Sequence, residues 1–169
     1  MSDSVSAREI IELLDLKPLE FEGGYYRETY RSQDILKAAH LPERYRTDRA
    51  ICTAIYYLLT PDTSSKIHRL PTDEIFHFYL GDPVAMLLLY PDGRGGEVTL
   101  GPDLVAGQGI QLTVPAGVWQ GSRLVEGGRF ALMGTTVAPG FDIGDFEAAE
   151  YDDLIRNYPE YSAAIDRLR

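Results

Sequence analysis

The stretch Ser64 to Gly81 reads SSKIHRLPTDEIFHFYLG, two strand-like runs joined at Leu70-Pro71 with His68, Asp73, Glu74 and His77 among them. From Thr72 to Leu80 a period of two places Glu74, Phe76 and Phe78 on one face of a strand and Asp73, Ile75, His77 and Tyr79 on the other. A carboxylate sharing a face with two phenylalanines lies either at a wet strand end or inside a cavity, because burying it unpaired in an apolar layer is prohibitive. His68, across the Leu70-Pro71 turn, is the natural group to meet it. A satisfied structural pair at a sheet end and a proton-handling site are both compatible with this pattern.

On either side the chain goes on as strands and turns. Upstream, Ala50 to Leu59 is a continuous apolar run that predicts a strand buried on both faces, and Cys52 within it is expected to be a small core residue. Downstream, Val84 to Tyr90, Glu97 to Leu100, Ile110 to Val114, the run from Val118 and Arg129 to Val137 are short strands. Turns rich in Gly, Pro and Asp separate them. That spacing predicts an all-β sandwich or small barrel with mostly antiparallel pairs.

The ends read differently. Ser6 and Glu9 fit a capping box, and Ile10, Ile11, Leu13 and Leu14 give the short helix behind it an apolar stripe. From Phe146 onward the pattern turns helical, with Tyr158-Pro159 as a break. Residues 32–48 read as a long polar surface excursion or a short helix, with the length of a lid or partner arm.

At 169 residues the chain has the size of one domain, 1–169. Its 26 acidic and 16 basic residues give a net charge of -10. That sign argues against nucleic acid or an anionic membrane as the main partner. Cys52 is the single cysteine, which excludes an intrachain disulfide. No apolar run reaches membrane-spanning length and the N-terminus lacks the plan of a signal peptide, so a soluble cytoplasmic protein is expected.

Glu22-Gly23-Gly24 turns into Tyr25 to Arg31, where alternation puts Arg27 and Arg31 on one face. Arg27 is a candidate for an anionic ligand by its planar fork, against the commoner role of pairing with a carboxylate. Gln111 and Gln120 are candidates to turn amides toward ligand hydroxyls. Tyr57, Phe76 and Trp119 complete the candidate ligand-binding set, and for Trp119 a packing role is the stronger reading. Phe141, Asp142, Asp145 and Phe146 are candidates to close one end of a pocket, and a capping and packing role accounts for them equally well.

The spacing of His68, Glu74 and Gly81, followed by Gly109, Pro115, Gly117 and Gln120, resembles the paired motifs of the cupin superfamily. The runs Glu22–Ser32, Thr53–Leu59, Asp73–Gly81, Val114–Gly121 and Thr136–Glu147 are similar to the small-cupin family cupin-5, a domain of unknown function. The resemblance implies a double-stranded β-helix, the cupin jelly-roll barrel, with a short N-terminal helix and C-terminal helices, assembling as a homodimer around a small-molecule ligand. Metal-binding cupins carry a second His where Leu70 stands and a fourth ligand where Gln120 stands, so no cofactor is firmly predicted. A divalent metal, if present, would fall to His68, Glu74 and Gln120. A more distant likeness to the dTDP-4-dehydrorhamnose 3,5-epimerase group implies metal-independent acid/base chemistry.

On that reading His68, Glu74 and His77 are the catalytic candidates, and Tyr26, Tyr30, Tyr57 or Tyr79 the partner acid. Glu74 stands where those epimerases carry Lys, and an ionised carboxylate would repel an oxyanion. The expectation is a barrel binding a sugar-like metabolite and working as an isomerase or epimerase. A non-catalytic ligand-binding cupin and a metal-dependent enzyme are the alternatives.

Overall fold

The computed structural model describes residues 5–169. Helix α1 (Ala7–Leu13) starts at the expected capping box, with Ser6 accepting from the Glu9 amide and the Glu9 carboxylate reaching back to the Ser6 amide. Strands β1 (Lys17–Pro18), β2 (Tyr25–Arg31), β3 (Ile35–Leu36), β4 (Arg49–Ala50) and β5 (Thr53–Leu59) follow. Then come β6 (Ser64–Arg69), β7 (Glu74–Gly81), β8 (Val84–Leu89), β9 (Gly95–Leu100), β10 (Gln111–Val114), β11 (Trp119–Leu124), β12 (Ala131–Val137) and β13 (Glu147–Ala148). Helices α2 (Tyr151–Asn157) and α3 (Ser162–Asp166) end the chain.

Among the described residues the strands pair antiparallel, in a six-stranded sheet ordered β1-β2-β5-β12-β7-β10, a five-stranded sheet ordered β13-β6-β11-β8-β9 and a two-stranded β3-β4 ribbon. The quoted stretch thus contributes one strand to each sheet: β6 carries His68 and β7 carries Glu74. Turning at Leu70-Pro71 places the two residues on facing sheets, which is how neighbours in sequence come to address one interior.

Three apolar clusters hold this arrangement. Inside, Tyr57, Leu59, Phe76, Met86, Leu88 and Met133 fill one end of the barrel. Outside, α1 covers the six-stranded sheet through Ile10, Leu16, Leu58, Phe130 and Leu132. The C-terminal helices lay Leu154, Tyr158, Ile165 and Leu168 on Ile67, Leu87 and Leu89 of the five-stranded sheet. Each outer face of β5 and β8 is therefore dry, which explains their continuous apolar sequences.

The run from Ala50 to Leu59 is broken at Ile51 and Cys52, and Cys52 is half-buried rather than a core residue. The segment after Phe146 is not helical at once: Glu147 and Ala148 first pair with Arg69 and His68 as β13. The 32–48 excursion contains β3 and one short 3-10 turn, Ala38–His40. Among the described residues no helix is long and apolar enough to cross a membrane.

Candidate functional site

The end of the barrel not filled by the apolar cluster is a cavity of about 560 Å³, within the range that holds a small metabolite. Its wall includes Tyr26, Glu28, Arg31, Thr53 and Ile55 from β2 and β5, His68 and Leu70, and Glu74, Thr135 and Val137 from β7 and β12. Glu22 and Phe21 border it before β2, and Phe141, Asp142, Ile143 and Phe146 border it as a strap leading into β13.

Two bulges decide which side chains face inward. Between β6 and β11 the register runs His68 opposite Gln120 but Ser65 opposite Ser122, so β6 carries one residue more and both Ser65 and His68 turn inward. The Lys66 carbonyl in that bulge lies 2.8 Å from His68 Nδ1. A carbonyl only accepts, so Nδ1 carries the proton, and in the neutral ring the lone pair belongs to Nε2. Nε2 bonds to no protein group among the described residues. The imidazole is 2% exposed and stacks on Phe146 with ring centroids 4.8 Å apart.

The second bulge lies between Glu28 and Tyr30, where Thr29 is the extra residue opposite β5. It reverses the parity of β2, so Tyr26, Glu28 and Arg31 reach the cavity. Arg27 instead packs over the Tyr56 ring on the outside, 5.5 Å from its centroid. Arg31 holds Glu28 in a two-point contact of 2.9 and 2.8 Å and donates to the Phe141 carbonyl at 3.2 Å. The cationic group at the cavity is therefore Arg31, which simple alternation grouped with Arg27.

Glu74, 8% exposed, begins β7 between β10 and β12. Its Oε2 accepts from Gln120 Nε2 at 2.7 Å, a bond that spans the two sheets through the interior. Burial pushes the carboxyl above the usual carboxylate range, with Glu22 adding to the rise; nearby His68 and the Gln120 and Thr135 side chains oppose it. His68 and Glu74 share the cavity and act on each other electrostatically, but their hydrogen bonds go to Lys66 and Gln120. The buried Gln120 Oε1 and Ser122 Oγ have no protein partner among the described residues.

A carboxyl that ionises less readily in the fold than in the unfolded chain makes stability fall as pH rises. The loss is absent below the unfolded value, about 4.3 for an ordinary glutamate, and complete above the raised folded value. Glu74→Gln removes this penalty while keeping an oxygen for Gln120 to donate to. Thermal denaturation across pH is expected to show the variant's midpoint gaining on that of the parent protein as pH climbs above the ordinary glutamate range. A difference that is constant with pH would contradict the raised carboxyl.

The other sequence candidates fall elsewhere. His77 lies on the outer face of β7, Nε2 3.2 Å from Thr136 Oγ1 and Nδ1 3.1 Å from Gln111 Nε2, so His77 and Gln111 satisfy each other away from the cavity. Trp119 packs among the C-terminal helices beneath the Arg69 guanidinium, 4.4 Å from its ring. Phe76 belongs to the apolar barrel core. Tyr57 is buried with its hydroxyl donating to the Gly23 carbonyl at 3.0 Å, and burial raises its pKa well above the ordinary phenol value. Of the four tyrosines considered as acids, Tyr26 lines the cavity.

The donor set does not fit a catalytic metal. Leu70 presents hydrocarbon where a second imidazole would stand, and Gln120 offers Glu74 its N–H end. Among the described residues no group of three His, Cys, Asp or Glu side chains is placed to hold an ion.

A jelly-roll barrel closed by two antiparallel sheets with a cavity between them defines a cupin. The chain belongs to the family described as Cupin superfamily (DUF985), whose pattern matches residues 8–149. It is 32% identical over 155 residues to an uncharacterized protein of Saccharomyces cerevisiae, a match covering 85% of this chain and 77% of the yeast protein. A hypothetical protein from Leishmania major superposes with a TM-score of 0.85 at 32% identity, covering 97% of this chain and 98% of that one. A Shewanella oneidensis protein gives 0.84 at 34% identity, covering 98% of each chain. A variant of Bacillus subtilis oxalate decarboxylase shares the fold alone, with a TM-score of 0.54, 16% identity, 92% of this chain and 38% of its own.

Proposed function

We propose that the barrel binds a small hydroxylated carbonyl compound, sugar-like in character, and moves a proton at the carbon next to its carbonyl without a metal. The observation that carries this reading is the buried His68, whose Nδ1–H is committed to the Lys66 carbonyl so that Nε2 is the basic nitrogen beside the cavity.

In the proposed step Nε2 takes the α-proton, the C–H electron pair becomes the carbon–carbon double bond of an enolate, and the carbonyl oxygen gains the negative charge. Glu74, whose ionisation burial disfavours, is the group placed to donate a hydrogen bond to that oxygen when it carries a proton. The repulsion expected of an ionised Glu74 then becomes stabilisation. Return of the proton from His68 to the neighbouring carbon, with the hydroxyl proton of that pair passing between the two oxygens, completes isomerisation; a proton from Tyr26 to the opposite face of the original carbon completes epimerisation, and solvent then takes the proton from His68 and restores that of Tyr26. Thr53, Thr135 and the Arg31–Glu28 pair supply hydroxyl partners along the cavity.

A second reading, a ligand-binding barrel without turnover, draws on Glu74 being bonded to Gln120 rather than to His68. Incubating a panel of aldoses, ketoses and their phosphorylated and nucleotide-linked forms in D2O and following α-proton loss by NMR separates the two. Exchange with at least one compound is the expected result; saturable binding without exchange supports the second reading.

A further inference from the structure

Outside the barrel mouth a second, open cleft of about 810 Å³ is lined by Arg44, Arg46, Arg49 and Arg69. Four arginines in one cleft are unexpected in a chain of net charge -10. The carboxylates there are Asp142, Asp145 and Glu147. Asp145 is taken by Arg49, and Glu147 is held at 2.8 and 2.7 Å by Arg69. Asp142 caps the Gly144 amide and its charge is felt by both Arg31 and Arg49.

The two remaining guanidiniums pair with no carboxylate among the described residues. Arg46 is exposed and has no ion pair or hydrogen bond among the described residues. Arg44 uses only Nε, donating to the Pro71 carbonyl at 2.8 Å, and its plane lies over the Tyr45 ring, 4.9 Å from the centroid. Tyr45 is itself buried and takes a hydrogen bond of 2.7 Å from the buried Thr72 hydroxyl, so Arg44 stands on a fixed platform. Two guanidinium forks on one loop, one of them pre-oriented, suit a phosphoryl group better than a single carboxylate. The cleft also shares Leu70, Asp142 and Phe146 with the barrel cavity, so one ligand can border both.

We infer that this cleft is an anion site in which Arg44 and Arg46 hold the phosphoryl or diphosphoryl end of the substrate whose carbonyl end enters the barrel. The anion site stands on the cleft alone, whereas entry of the carbonyl end into the barrel rests on the proton-transfer reading. The substrate class it names is a phosphorylated or nucleoside-diphosphate-linked hydroxycarbonyl compound.

Inorganic pyrophosphate and inorganic phosphate, titrated separately into the full chain by calorimetry at low salt, test the cleft without any reaction. Pyrophosphate is expected to bind, to weaken roughly tenfold or more in Arg44→Ala/Arg46→Ala, and to bind His68→Gln as it does the parent. The variant pair is exposed, so folding is checked by an unchanged melting midpoint. Tighter binding of pyrophosphate than of phosphate assigns the diphosphoryl form, and the reverse order the monophosphoryl form.

No binding of either ion, or equal binding by the double variant, overturns the inference. Pyrophosphate bound through these arginines while no compound shows α-proton exchange leaves the anion site standing and removes the proposed reaction.

Discussion

Replacing Arg49 with Ala is expected to cost about 3–5 kcal/mol, the usual consequence of leaving one member of a buried ion pair alone. Arg49 and Asp145 are only 4% and 9% exposed in their side chains, and Arg49 Nε lies 3.1 Å from Asp145 Oδ2 with Nη2 on the other oxygen. Nη1 is occupied by the Thr47 carbonyl at 2.8 Å and the Asp48 carbonyl at 3.1 Å. Removing the guanidinium therefore leaves the Asp145 carboxylate, little exposed, without its cation.

In a domain of this size that loss corresponds to a fall in melting temperature on the order of 10 °C. Calorimetry of Arg49→Ala and of Arg49→Met/Asp145→Leu checks it. The double variant, which removes both charges, should recover much of the loss. A single variant as stable as the parent would show that the pair is wet in solution.

The effect should reach the site. Asp145 adjoins Phe146, whose ring lies on His68, and the strap is otherwise tied by the Phe141 amide on Thr53 Oγ1 at 3.0 Å and by the Arg31 contact to the Phe141 carbonyl. Amide exchange in residues 143–147 should accelerate in Arg49→Ala more than in the barrel strands.

His68→Gln is expected to lower α-proton exchange by about 10² to 10⁴, the range a positioned general base contributes. Gln keeps a polar side chain of similar reach but has no nitrogen lone pair able to take a proton. Binding should change far less than rate, because His68 is one of many groups along the cavity wall. The comparison is the exchange rate at saturating ligand in parent and variant. A variant retaining full exchange would move the base to another group, with Glu74 the next in line.

Much of this was legible in the sequence, and the reasons it was incomplete are local. The succession of the main strands along the chain could be anticipated because Gly, Pro and Asp punctuate the turns between them, and the capping box at Ser6 and Glu9 marks α1 directly. His68 and Glu74 stood out as titratable groups in an otherwise strand-forming run, and Phe141, Asp142 and Phe146 as a closing segment. Alternation placed His77 opposite Glu74, where it lies.

Bulges account for the main misreading of the wall. A single extra residue at Thr29 puts Arg27 and Arg31 on opposite faces where alternation had put them on one, and nothing in YYRETYR announces it. Gln111 looked like an inward amide because its neighbours are apolar; β10 is an edge strand, and its amide finds His77 on the outside. Strand β13 was missed because Glu147 and Ala148 pair in only two residues, too few for periodicity to register. The Arg44 and Arg46 cleft was hidden in a segment readable only as a polar excursion.

The proton arrangement at His68 decides whether Nε2 can act as the base, and 15N NMR of the imidazole measures it without knowledge of the substrate. In the neutral ring the expected result is a single tautomer, Nδ1 protonated and Nε2 bare, assigned by its one-bond N–H coupling and lost from the spectrum of His68→Gln. A neutral ring protonated on Nε2, or an even mixture of tautomers, would contradict the anchoring by Lys66 and with it the role of His68 as the base.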